Sequence, residues 1–162
     1  MKLLLLVASA LSIAACSGAV ADAPVKGYYR ADGKESTLSH VRTGTGEPFA
    51  SGHPTIDIAL TENDAADAKD LSTNKIVFSH KYGSAILVNI FKSVEGDGYE
   101  IGSAAFHHSQ AEKAGGNGGN LQIKNVTVAN GQISGEIYTP ADSTMFGVKI
   151  DIDLKFKAAL PK

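Results

Sequence analysis

Residues 145–158 read M-F-G-V-K-I-D-I-D-L-K-F-K-A. From Val148 onward the apolar side chains Val148, Ile150, Ile152, Leu154 and Phe156 alternate with the charged Lys149, Asp151, Asp153, Lys155 and Lys157. A period of two sends neighbouring side chains to opposite faces, so this stretch is a β-strand with one face in a core and the other in water. The mixed row of lysine and aspartate reads as a solvated face that blunts edge pairing.

The preceding residues supply partners for that strand. Asn130-Gly131 separates an apolar run over Leu121–Ala129 from another over Gly131–Tyr138. Asn-Gly is a strong hairpin signal, because a type I′ turn needs positive φ at both central positions. The turn sets Val128 opposite Ile133 and Val126 opposite Gly135. Leu121 and Ile123 have the opposite parity, which calls for a bulge near Lys124-Asn125. A turn over T-P-A-D-S-T then brings Ile150 opposite Ile133 and Val148 opposite Gly135, with the apolar faces agreeing across three strands.

Further upstream, short runs rich in Val, Ile, Tyr, Phe and Thr continue between turn signals. They cover Val25–Ala31, Ser36–Thr43, Thr55–Thr61, Asn74–His80, Ser84–Ser93 and Gly98–His107. Tyr28-Tyr29 places one ring in and one out. In Asn74–His80, Ile76 and Phe78 fall on one side of the expected strand. Ser84–Ser93 is apolar on both faces, the mark of a central strand. E-N-D-A-A-D-A-K-D reads as a loop with room for one helical turn. Ser109 and Glu112 have capping-box spacing for a single helical turn, and the Gly-rich residues after it read as mobile. The expected fold is all-β: a single antiparallel β-sandwich or strongly bent sheet of about eight or nine strands, with at most one or two short helical turns. Residues 25–160 form that domain, long enough for one core.

The N-terminus carries a different message. Lys2 is followed by an uncharged apolar run from Leu3 to Ala15, shorter than the roughly 20 residues of a membrane span. Basic start, short apolar segment and small residues are the layout of a secretory signal peptide over residues 1–15. Ile13-Ala14-Ala15-Cys16 resembles the lipobox of bacterial lipoproteins. That resemblance implies a diacylglycerol on Cys16, cleavage before it, acylation of the new amine, and a flexible tether over residues 16–24. Ser17 is similar to the residue that directs such proteins to the outer membrane, so the expected location is its periplasmic face. More than one acyl chain gives stable anchoring. The remainder resembles the small β-rich lipoproteins of Gram-negative bacteria that belong to no named functional family.

Cys16 is the only cysteine, so once it is acylated the folded part has no thiol for disulfide, metal or nucleophile. Loss of Lys2 takes the formal charge from −2 to −3. A faintly acidic chain lacks the clustered Lys and Arg that nucleic acid demands. The Gly-rich stretch after Lys113 lacks a phosphate-binding lysine, which removes nucleotides.

Reactive chemistry is confined to five histidines, at spacings of 13, 27, 27 and 1. None forms a ligand pair on one strand face, and no metal site or other cofactor is assigned; His53, His107 and His108 are the weak candidates. His107 and His108 point to opposite faces if the strand continues through them. Neither G-x-S-x-G nor H-E-x-x-H occurs. Glu47 and Phe49, in the first long loop, are the candidate partner-binding residues. The expected function is non-catalytic binding of a protein partner, for instance as an inhibitor or immunity protein. A periplasmic metal-handling protein and an envelope-polymer hydrolase are the alternatives.

Overall fold

The computed structural model describes residues 23–48, 52–111, 115–117, 120–145 and 147–161. Two antiparallel sheets pack face to face. The first takes the two ends of the domain: β1 (Val25–Ala31), β2 (Lys34–Ser36), β8 (Gln122–Ala129), β9 (Gln132–Tyr138), β10 (Thr144–Met145) and β11 (Val148–Ala159). Its order is β2-β1-β11-β9-β8, with β10 also paired to β11. The second is a plain meander of β3 (His40–Thr45), β4 (Thr55–Thr61), β5 (Ala85–Lys92), β6 (Tyr99–His107) and β7 (Gly115–Asn117). The all-β reading holds, as a sandwich. Eleven strands occur among the described residues rather than eight or nine, because β2, β7 and β10 are ladders of only two or three residues.

The alternation in β11 works as the sequence implies. Its five apolar side chains are buried, and they join Tyr29, Ile58, Ile86, Phe106 and Ile137 in the inter-sheet core. Burying each large apolar side chain contributes about 1.5–3 kcal/mol. Tyr29 is fully buried while Tyr28 lies under the Arg30 guanidinium on the other face, one ring in and one out. Asn130 and Gly131 adopt φ of +53° and +70°, as a type I′ turn requires. The bulge in β8 also forms: Asn125 takes φ +54° and the register slips between Lys124 and Thr127. Val128 faces Ile133, as the turn dictates.

Other expectations are corrected. β11 is an inner strand with β1 on one side and β9 on the other, so its charged row lies on a sheet face and guards no edge. Ile133 stands opposite Ala158 rather than Ile150, and Gly135 stands opposite Phe156 rather than Val148. Residues 139–145 make no compact turn; they run back along the first half of β11, with Thr139 N–H donating to the Ile152 carbonyl and Ile150 N–H to the Ser143 carbonyl. Asn74–Phe78 is a single π-helical turn, not a strand. Adjacent Ile76 and Val77 are both buried there, which one face of a strand does not allow, and Phe78 is 47% exposed. In the Gly-rich stretch, Gly115–Asn117 pairs as β7 with the end of β6. Glu112 of the expected helical turn lies outside the described residues.

Candidate functional site

The outer face of the meander sheet is built row by row. Outward side chains of adjacent strands stand side by side: Arg42, Ala59, Leu87 and Ala105 in one row, and Gly44, Asp57, Asn89 and Ser103 in the next. The first row is apolar apart from Arg42 and needs a cover. Residues 62–84 provide it, folding Leu71, Ile76, Val77 and Tyr82 onto Ala59, Leu87 and Ala105 as a second small core. Arg42 fastens this cover by donating to the carbonyls of Ala65 and Ala68. This explains why β5 is apolar on both faces: Ile86, Val88 and Ile90 enter the main core, Ala85 and Leu87 the second.

The cover stops short of the next row, and the polar row becomes the floor of a groove of about 430 Å³. One wall is Leu71, Ser72 and Thr73 at the margin of the cover, and the other is Glu47 and Pro48 after β3. On the floor, Asn89 Nδ2 donates to Asp57 Oδ1 at 2.7 Å and to Thr55 Oγ1 at 3.0 Å. Thr55 Oγ1 in turn donates to the Glu47 carbonyl at 2.9 Å. Gly46 crosses so close that a Cβ there would stand 2.2 Å from Asn89 Nδ2 and 2.6 Å from Asp57 Oδ1. Asp57 is half-buried. Burial pushes its carboxyl above the ordinary 3.8, the Asn89 hydrogen bond opposes that, and the Glu47 charge adds to it. Among the described residues, neither Asp57 nor Glu47 has an ion-pair partner.

Of the residues singled out in sequence, Glu47 lies on the groove rim. Phe49 and the lipidation residue Cys16 lie outside the described residues. The three candidate histidines do not share one site. His107 ends β6 on the outer face and stacks on His80, with centroids 3.9 Å apart. His108 turns into the main core, edge-on to Tyr29 at 4.8 Å. His53 precedes Thr55, which pairs with Phe91, whereas His107 pairs with Ala85. The stretch of β5 from Ala85 to Phe91 therefore separates the two ends, roughly 20 Å at strand rise. No group of three His, Cys, Asp or Glu placed to hold a metal ion occurs among the described residues.

Beside His107 and His108, Glu62 forms a polar knot at the other end of the sheet. Its Oε2 accepts from Ser84 N–H at 2.8 Å and from Ser109 Oγ at 3.0 Å. These bonds, led by the Ser84 amide, hold its carboxyl below the usual value. Burial pushes both His107 and His108 below their ordinary value, so both are disposed to stay neutral.

Asp57, Asn89 and Ser103 escaped the sequence reading. Each is a polar outward residue in a strand, which by itself signals only solvent. The available signal is that all three strands switch from apolar to polar outward residues between one row and the next, and seeing this needs the register. Fold and site together define an all-β sandwich with one partly roofed sheet face ending in an acidic groove. Comparison with family models, curated proteins and solved structures finds no match for the chain in any of the three.

Proposed function

We propose that this chain is a lipid-anchored, non-catalytic binding module that holds a protein partner through the groove on the meander sheet. The observation that carries the reading is the groove itself: a polar floor fixed by the Asp57–Asn89–Thr55 hydrogen bonds, between an apolar shoulder at Leu71 and Leu87 and a rim at Glu47 and Pro48. Fixed polar groups set among apolar walls are the usual make-up of a recognition site. Lipid on Cys16 would hold the module at the periplasmic face of the outer membrane, where an inhibitor or immunity protein meets incoming enzymes.

Site-specific photo-crosslinking in intact cells tests the reading. A crosslinker at Ser103 or Thr73 is expected to trap one discrete protein, and one at Lys155 on the opposite sheet is expected to trap none. Equal labelling from both sheets, or none from the groove, contradicts it.

The raised carboxyl of Asp57 beside Glu47 is the one feature that favours the alternative of an envelope-polymer hydrolase, since glycan hydrolysis uses paired carboxylates. Release of soluble fragments from purified peptidoglycan, lost in Asp57→Asn, would establish that reading instead.

A further inference from the structure

We infer that the groove receives a basic side chain, arginine or lysine, carried by the partner polypeptide. The inference rests on the groove being the partner's seat and adds the chemistry of what enters it.

The shape comes first. A volume of about 430 Å³, at the low end of small-ligand sites, suits one or two side chains reaching inward rather than a helix laid along the sheet. The entry is amphipathic. Leu71, Leu87 and Pro48 present carbon to a side-chain stem, and Asp57 and Asn89 in the same lining present polar groups to its tip. Long cationic side chains have this same division, an apolar stem with a charged tip.

The charges agree. Two of the lining residues, Glu47 and Asp57, are acidic, and among the described residues no lysine or arginine lines the groove. Elsewhere on the surface the carboxylates of Glu35, Asp67, Asp70, Glu136 and Asp142 each lie against a lysine or arginine of this chain. Asp57 differs in being half-buried and lacking such a partner among the described residues. Its Oδ1 is taken by Asn89, and no described residue donates to Oδ2. Asn89 spends its Nδ2 on two bonds within the floor, which leaves its amide carbonyl as an acceptor. A donor-only tip fits this set: it would meet a carboxylate oxygen, an amide oxygen and, at the rim, a second carboxylate. An acidic tip would meet repulsion from both carboxylates. Charge-assisted bonds to a partly desolvated carboxylate are among the stronger ones available to an interface.

The test uses short capped peptides, acetyl-Gly-X-Gly-amide with X arginine, lysine, citrulline or glutamate, titrated into the isotopically labelled full chain in detergent. The arginine and lysine peptides are expected to shift the Asn89 side-chain amide and the Asp57 carboxyl carbon saturably. Citrulline, nearly isosteric with arginine but neutral, is expected to bind at least tenfold more weakly, and glutamate not at all. Asp57→Asn is expected to lose the arginine response tenfold or more. If that variant does not fold, Glu47→Gln, altered at an exposed rim position, is expected to weaken it several-fold, and Ser134→Ala on the opposite sheet to leave it unchanged. Equal responses to arginine and citrulline overturn the inference. So does the absence of any groove response to the cationic peptides, even where the Ser103 crosslinker traps a partner; in that case the binding reading stands and its cationic chemistry falls. A charge-selective peptide response with no crosslinked partner supports the cation site and removes the protein-binding reading.

Discussion

Acidification should loosen this fold well above the pH at which carboxylates protonate, because two histidines are held neutral. His108 is fully buried against Tyr29, and His107 is nearly so beneath His80. Burial is the leading cause that depresses both, and His107 is further opposed by the neighbouring His80 and His108. Below the ordinary value of 6.5 the unfolded chain takes up these protons and the folded chain does not. Stability is therefore complete above about pH 6.5 and falls as pH drops from there toward the depressed folded values. Within that window each group contributes a slope of up to about 1.4 kcal/mol per pH unit, so the two together give at most ~2.7. With an m-value of about 2 kcal/mol/M, the urea midpoint would move by up to about 1.3 M per pH unit. Glu62 acts lower down: its depressed carboxyl adds stability that is lost only as pH falls below the ordinary 4.5. Urea melts at four pH values spanning neutrality to mild acid, read by tyrosine fluorescence, measure the slope. His108→Leu is expected to remove about half of it. A midpoint that stays flat from one unit above to one unit below the ordinary histidine value would refute the assignment of buried neutral histidines.

Three other outcomes are expected. Tyr29→Phe should be neutral to stabilising by about 1–2 kcal/mol, because the buried Tyr29 hydroxyl has no hydrogen-bond partner among the described residues; a thermal melt that falls by several degrees would show that the hydroxyl is bonded. Gly27→Ala should destabilise by about 3 kcal/mol or more, since Gly27 has φ +118° and a Cβ would lie 1.9 Å from the Asp153 carbonyl oxygen, so an unchanged denaturation midpoint would contradict the β1–β11 pairing. Cys16→Ser should abolish incorporation of radiolabelled palmitate, whereas undiminished incorporation would argue against lipid on Cys16.

Much of the fold is legible because period two is so strict in this chain. Val148 to Phe156 declare their strand, Asn130-Gly131 its hairpin, and the parity clash between Ile123 and Val126 the bulge that the structure forms at Asn125. The pairing of β9 with β11 was not legible for the same reason. Moving Ile133 from Ile150 to Ala158 is an even shift that keeps every inward side chain inward, so the pattern fits both registers equally. The segment after β4 escaped for another reason. Ile76 and Val77 are strand formers by propensity, and only their burial on Leu87 and Ala105 turns them into a helical cap. The groove was half visible: Glu47 stood out in its loop, whereas Asp57 acquires its character from neighbours on β5 and β6 that are distant in sequence.

The most direct test of the binding account fills the groove from within. Ser103 is an exposed floor residue beside Asn89, and Ser103→Arg would set the chain's own guanidinium against Asp57. Affinity for the partner trapped at the groove, measured by calorimetry with wild-type protein and with Ser103→Arg, decides the matter. The expected result is a variant as stable as wild type that binds about a hundredfold more weakly, the loss of a strong interfacial contact. A folded Ser103→Arg protein with undiminished affinity would contradict the claim that this groove is where the partner is held.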